Sequence, residues 1–256
     1  MHMIKSFFIA VSMYSKIPVP QFEWKEEDMK YIFCFFPWVG ALIGGCIYFW
    51  NEFCNYCHIG ILCRTAVDAA IPLFITGGFH VDGYMDTMDA LHSYGSKERK
   101  LEILKDSHIG AFAVIMLAVY GLVYLGAFSE VESSVMIKIV CSSFFLSRCL
   151  CGISAVSFPL AKKDGTLCLF ADSSQKRIVK GSLYLQSAVC IGFMLFWSLS
   201  AGLAVAAVAM LAFIYYFCRS KKEFGGITGD TSGYFILICE VCMIVAAAVF
   251  SLWRVK

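Results

Sequence analysis

The chain is short of charge. Asp, Glu, Lys and Arg make up 16% of its 256 residues, against about 25% in soluble domains, too few to cover a water-facing surface. Neither sign is in excess: 21 Lys and Arg stand against 19 Asp and Glu, a formal net charge of +2. That leaves no basic field of the kind on which nucleic-acid binding rests, so no nucleic-acid partner is expected. Ser/Pro linkers, internal repeats and low-complexity tracts are also missing, which argues for one domain over residues 1–256. The 13 Cys fall below the roughly 8–10% that marks a disulfide scaffold. Most, such as Cys34, Cys46, Cys149, Cys151, Cys190 and Cys218, sit in apolar runs, where Cys behaves as a small hydrophobe. Cys54-Asn-Tyr-Cys57 with His58, and Cys239-Glu-Val-Cys242, have CxxC spacing but not the four ligands of a zinc site.

What the chain has instead is apolar mass. Hydrophobic residues are 59% of it, and the 20 Gly bring the share to about two-thirds, against roughly 45–50% in soluble domains. The partner surface expected is the lipid bilayer. A hydrocarbon core of about 30 Å needs roughly 20 apolar helical residues, and several stretches qualify. Tyr31 to Asn51 and Ile109 to Ser129 are uncharged, and Thr231 to Trp253 contains only Glu240. Tyr56 to Phe79 carries Arg64 and Asp68, and Ile139 to Leu160 carries Arg148. Leu183 to Cys218 is an uncharged run of 36 residues, about 54 Å as one helix, so two helices broken near Ser198 to Gly202 fit better.

Short cytoplasmic loops hold an excess of Lys and Arg. With the long run split, successive segments outside the spans carry 4, 0, 4, 1, 5, 0, 3 and 2 positive residues, Lys162, Lys163, Arg254 and Lys256 among them. An unsplit run puts three positives on the wrong side. The expectation is therefore an all-α, polytopic integral membrane protein with about seven transmembrane helices, N-terminus cytoplasmic. The spans fall at about 31–51, 56–79, 109–129, 139–160, 183–199, 201–218 and 231–253. The stretch Phe7 to Tyr14 is short, Lys16 follows it, and no small-residue cleavage site comes after, so it reads as an interfacial helix ending at Ile17-Pro-Val-Pro20 rather than a signal peptide. The oligomeric state, a homo-oligomer included, is not legible.

The polar residues that stand out follow the second span: Gly77-Gly-Phe-His80-Val-Asp82-Gly-Tyr-Met-Asp86-Thr-Met-Asp89. Asp82, Asp86 and Asp89 lie at i, i+4 and i+7, within about 60° on a helix. Three carboxylates on one face repel, and a cation relieves them. Mg²⁺ takes hard oxygen ligands and shares its shell with water and substrate phosphate, so this pattern at a membrane-helix mouth reads as a metal and phosphate site. The plainer alternative, a solvated acidic face, is weakened by the apolar surroundings and the lack of i+4 cations. His80 is a base, a ligand, a phosphate contact, or a hydrogen-bonded interfacial histidine. Downstream, Lys105 and His108 are placed to meet phosphate and Asp106 a metal; a juxtamembrane helix facing lipid head groups accounts equally well for Glu98 to Lys100.

A second polar element, Phe224-Gly-Gly-Ile-Thr228-Gly229-Asp230-Thr231-Ser-Gly233, leads into the last span. Its glycines allow close backbone approach, and amides at a helix N-terminus hold phosphate oxygens, so Thr228, Gly229 and Thr231 are substrate-binding candidates. It falls on the same side as the Asp segment by the Lys/Arg count. Charge inside a span is costly and by default functional. Arg148 is placed to face an anionic substrate, Arg64 and Asp68 to pair with each other at i, i+4, and Glu240 to orient a metal ligand or a cationic partner.

These residues together resemble a known family. Gly77-Gly-Phe-His80-Val-Asp82-Gly-Tyr-Met-Asp86-Thr-Met-Asp89, then Lys105-Asp106-Ser-His-Ile-Gly110, then Gly226-Ile-Thr-Gly229-Asp230-Thr is similar to the cobalamin synthases, the adenosylcobinamide-GDP ribazoletransferases. The similarity extends nearly end to end, from Ile17-Pro-Val-Pro20 to the last span. His108 stands where the family often has Arg, and Ser232 and Tyr234 depart from its small or apolar residues. The resemblance implies a bacterial inner-membrane enzyme with its site on the cytoplasmic face. There the ribose 3′-hydroxyl of α-ribazole, or of α-ribazole-5′-phosphate, attacks the cobinamide-linked phosphorus of adenosylcobinamide-GDP and releases GMP. The product is adenosylcobalamin or its 5′-phosphate. It implies Mg²⁺ held by Asp82, Asp86 and Asp89, with Asp106 or Asp230 completing the shell, and His80 or a carboxylate as base. Two other readings stand behind it: a CDP-alcohol phosphotransferase, whose later Asp motif is absent, and a cation or corrinoid transporter, which would place its site at the midplane of repeated halves.

Overall fold

The computed structural model describes residues 2–20, 22, 25–162 and 165–254; Lys163 and Lys256, counted above among the loop positives, lie outside the described residues. Among these, regular structure is helical apart from one isolated bridge between Leu160 and Ile227. The twelve helices are α1 (His2–Tyr14), α2 (Glu26–Met29), α3 (Ile32–Cys57), α4 (Ile61–Thr76), α5 (Phe79–His92), α6 (Lys97–Ile103), α7 (Ala111–Ser129), α8 (Ser134–Ser157), α9 (Thr166–Ser173), α10 (Lys176–Trp197), α11 (Leu199–Phe224) and α12 (Gly229–Arg254). Six of them, α3, α7, α8, α10, α11 and α12, are long and apolar enough to cross a bilayer, and α4 with α5 forms a seventh, bent candidate.

The long uncharged run breaks where its length required. Ser198 adopts an extended backbone, and its side chain accepts from the Ala201 amide to start α11. Most helices overrun the expected spans at one end or both, since a helix does not stop where charge begins, while α7 starts two residues late and α8 and α10 end two or three residues early. Thus α8 starts at Ser134, taking in Lys138, whose ammonium sits 3.7 Å from the centre of the Trp197 ring, and α10 starts at Lys176. The second span is the exception. Residues 56–57 close α3, His58 turns the chain in the left-handed region, and α4 begins only at Ile61. At the far end of α4, Gly77 and Gly78 both have positive φ, and α5 leaves at 97° to α4. The short α5 therefore runs nearly at right angles to α4 and packs against α12 and α7, where the Tyr84 hydroxyl donates to the Met116 carbonyl at 3.2 Å. The N-terminal helix ends at Tyr14, and the chain beyond it is tied to α4 through the Lys16 amide, which donates to the Ile75 carbonyl at 2.8 Å.

At the centre stands α8, in which 83% of the most apolar window is buried. Lipid tails give no hydrophobic drive for helix association, so close packing relies on small residues. Gly40 and Gly44 of α3 supply it: a Cβ on either would overlap the backbone of Phe144 or Cys141 on α8. Arg148 and Glu240 meet inside the bundle, Nη1 to Oε1 at 2.6 Å, with Ser147 also donating to that oxygen at 2.9 Å. The pairing expected of Arg64 and Asp68 is not made. Asn51 of α3 donates to Asp68 at 2.8 Å, while Arg64 Nε and Nη2 have no hydrogen-bond partner.

Candidate functional site

Two glycines set the site by letting α5 and α12 touch backbone to backbone. A Cβ on Gly83 would lie 2.8 Å from the Asp230 carbonyl oxygen and 2.9 Å from its Cα, and one on Gly233 would lie 2.9 Å from the His80 carbonyl. The crossing sets the α5 carboxylates beside Asp230, which opens α12. Asp82 is exposed, while Asp86, Asp89 and Asp230 are half-buried. The Asp82, Asp230 and Asp89 carboxylates all act on Asp86 as like charges. Three of the expected residues on α5 and one from a different helix thus share one field. Asp89 points toward the next loop, its carboxylate lying where a Cβ on Gly110 would be, at the start of α7.

The turn into α12 is held by a reciprocal cap. The Thr231 amide donates to Thr228 Oγ1 at 3.1 Å, and the Thr228 amide donates to Thr231 Oγ1 at 2.8 Å, as in a capping box. Thr231 is fully buried and spends its hydroxyl here. Upstream, Gly225 ends α11 with φ of 80°, and the next residues pair with the loop after α8: the Ala161 amide donates to the Ile227 carbonyl and the Ile227 amide to the Pro159 carbonyl, both at 2.9 Å. Gly226 has to be glycine, since a Cβ would lie 2.5 Å from the Pro159 carbonyl.

That pairing brings Lys162 to the site. A cavity of about 260 Å³ is lined by Lys105, Lys162, Thr166, Thr228, Gly229 and Asp230, among others. Lys105, Thr228, Gly229 and Asp230 were expected from the motifs; Lys162 had entered only the count of loop positives. Nothing in the sequence marks Lys162 apart from Lys163, because the bridge that positions it depends on Ile227, far along the chain. Its positive charge faces the Asp230 carboxylate across this cavity. Two cations, the α12 N-terminus and Asp230, the one member of the acidic cluster on its wall, border this cavity and suit a phosphate-bearing substrate.

Other expected residues lie elsewhere. Asp106 is exposed and holds His108, whose amide and Nδ1 reach Oδ1 at 3.0 and 2.6 Å; those hydrogen bonds keep the carboxyl below its usual range. Arg148 is 1% exposed, paired with Glu240 and bonded to the Phe144 carbonyl at 2.8 Å, and together with His80 and Glu240 lines a separate internal cavity of about 260 Å³. His80 is buried, packed 5.9 Å from Phe36 and 5.6 Å from Phe79 between ring centroids, with no partner for Nε2.

Among the described residues no three His, Cys, Asp or Glu side chains converge closely enough to hold a metal ion by themselves. The donor set still fits Mg²⁺, which is usually bound through one or two carboxylates with substrate phosphates and water filling the shell. Asp82, Asp86 and Asp230 are all-oxygen donors whose mutual repulsion a divalent cation would relieve.

Comparison with known proteins places the chain among sequences of one kind. A family described as cobalamin-5-phosphate synthase matches residues 6–248. Proteins named adenosylcobinamide-GDP ribazoletransferase align along almost their whole length. One from Lachnoclostridium phytofermentans is 43% identical over 243 residues, covering 94% of this chain and 92% of that protein. One from Clostridium botulinum (strain Alaska E43) is 33% identical over 255 residues, 98% and 99% of the two chains, and one from Desulfitobacterium hafniense is 31% identical over 250 residues, 95% and 96%. No solved structure matches.

Proposed function

The chain belongs to the cobalamin-5-phosphate synthase family, a transferase of cobalamin biosynthesis, and from that membership we propose that it joins adenosylcobinamide-GDP to α-ribazole or α-ribazole-5′-phosphate, with Mg²⁺. The ribose 3′-hydroxyl oxygen forms a bond to the cobinamide-linked phosphorus, the bond from that phosphorus to the GMP oxygen breaks, and GMP departs. The single observation that carries this reading is the crossing of α5 and α12, which sets Asp82 and Asp86 beside Asp230 next to the Lys105 and Lys162 cavity.

Phosphoryl transfer is mostly positioning and charge neutralisation, and the residues divide accordingly. Lys105 and Lys162 hold the diphosphate, with the Gly229 and Asp230 turn at the α12 N-terminus behind it. Asp82, Asp86 and Asp230 would hold Mg²⁺, with Asp89 as a further ligand; the ion would neutralise the diphosphate and the developing charge. The 3′-hydroxyl proton goes to His80 or to a carboxylate of the cluster that is left free of the ion. The Lys/Arg count supports an N-terminus and a site that face the cytoplasm, and the family resemblance a place in the bacterial inner membrane.

Purified protein in detergent, given adenosylcobinamide-GDP, α-ribazole-5′-phosphate or α-ribazole, and Mg²⁺, is expected to release GMP and corrinoid product in equal amounts. A folded sample that forms neither product with either acceptor refutes the reading.

A further inference from the structure

A second cavity adjoins the polar one and differs from it in character. Its volume is about 160 Å³, and Tyr14, Phe36, Phe79, Phe170, Ala155 and His80 are among its walls. The two cavities share Thr166, Leu167 and Gly229, so a molecule lying across the Gly229 turn reaches both. The pocket is smaller than the roughly 300 Å³ at which sites for whole small molecules begin, so it suits one ring system of a larger substrate. Its wall is aromatic: Tyr14 and Phe36 have ring centroids 4.2 Å apart, and Phe79 stands edge-on to His80. His80, which also borders the Arg148 and Glu240 cavity, brings to this wall a residue 4% exposed whose Nε2 is a buried polar atom without a partner.

We propose that this cavity is the specificity pocket for the aromatic base of the acceptor nucleoside, an inference that rests on the transferase reading above. Four chemical groups of the substrates compete for it, and three fail. A corrin ring is far larger than the space. Guanine, and the adenine of the adenosyl group, each carry several donors and acceptors, which apolar walls would leave unpaired. The benzimidazole of ribazole is a planar, apolar bicycle whose glycosylated form offers no N–H and a single acceptor nitrogen. Aromatic walls receive its faces and edges, and His80 Nε2, protonated in that tautomer, is the one donor for its one acceptor. With the base seated, the ribose lies at the Gly229 turn and its 3′-hydroxyl faces the Asp230 side, where the diphosphate is held.

The experiment compares wild type with Ala155→Leu, which fills the pocket, and Ala155→Gly, which enlarges it. Binding of α-ribazole alone is measured by titration calorimetry in detergent, and KM is measured for each substrate. Ala155→Leu is expected to weaken α-ribazole binding and raise its KM by tenfold or more, with KM for adenosylcobinamide-GDP within twofold of wild type. Ala155→Gly is expected to shift preference toward nucleosides with a bulkier fused base. If Ala155→Leu binds α-ribazole as wild type does, or if only the adenosylcobinamide-GDP KM moves, the pocket assignment is wrong. Wild-type protein that binds α-ribazole but never turns over would instead sink the transferase reading while leaving the pocket standing.

Discussion

Replacing Gly83 with Ala tests whether the α5 and α12 contact sets activity. The new methyl carbon would lie 2.8 Å from the Asp230 carbonyl oxygen, where ordinary contact begins at 3.4 Å. The neighbour is backbone, which does not rotate away, so the two helices must part by about 0.6 Å. Overpacking of this kind costs about 1–3 kcal/mol, offset in part by the roughly 0.5–1 kcal/mol by which Ala favours a helix over Gly. The larger effect falls on chemistry, since Asp82 and Asp86 ride on one helix and Asp230 on the other. A misplacement of about 1 Å can cost 10²-fold, so Gly83→Ala should lower kcat by about ten- to a hundredfold while membrane insertion and most of the stability remain. Gly192→Ala on α10 is the control, because a Cβ there meets nothing within 4 Å; it should keep full turnover and a slightly higher Tm. The assay is GMP release, alongside thermal unfolding of both variants. Gly83→Ala with the rate and KM of wild type would show that the close crossing is packing alone.

Other outcomes follow from the same geometry. Asp82→Asn, Asp86→Asn and Asp89→Asn should each cut turnover by more than about 100-fold with insertion intact; wild-type rates in all three would remove the metal assignment. EDTA should abolish GMP release and added Mg²⁺ restore it, whereas turnover persisting in EDTA would leave charge neutralisation to Lys105 and Lys162. Glu240→Gln strands the buried Arg148 and should destabilise by about 3 kcal/mol; the double variant Arg148→Met with Glu240→Leu should recover most of that, and a double variant no more stable than the single one contradicts a simple pair. Thr228→Val removes the acceptor for the Thr231 amide and should cost about 1 kcal/mol, seen as a lower Tm, with Thr228→Ser near wild type.

The spans were legible because charge-free runs of bilayer length have few alternatives, and the break at Ser198 because one helix of that length overshoots the membrane. Helix ends were not, since Lys138 keeps its helical place by lying on the Trp197 ring, a contact that depends on a residue much later in the chain. The acidic face of α5 could be read from its own spacing, and the Thr228 to Thr231 turn from its residue types. What joins them could not: Gly83 and Gly233 look like any helical glycines until the helices cross. Lys162 was hidden for the same reason, its position being fixed by the Leu160 and Ile227 bridge. Arg64 and Asp68 had the spacing of a pair, but Asn51 from α3 took the carboxylate. Arg148 and Glu240 announced only that each needed an explanation, not that each explains the other.

The glycine face of α3 has a consequence for how the protein is made. Gly40 and Gly44 meet Phe144 and Cys141 of α8, a partner that leaves the ribosome roughly a hundred residues later. At about 5–20 residues per second, α3 waits on the order of 5–20 s in the bilayer with its contact face uncovered. Its own hydrophobicity must therefore hold it in place during synthesis. The central pairing of the bundle forms late, and a ribosome stalled before α8 would release a chain with a bare glycine groove for membrane quality control to recognise.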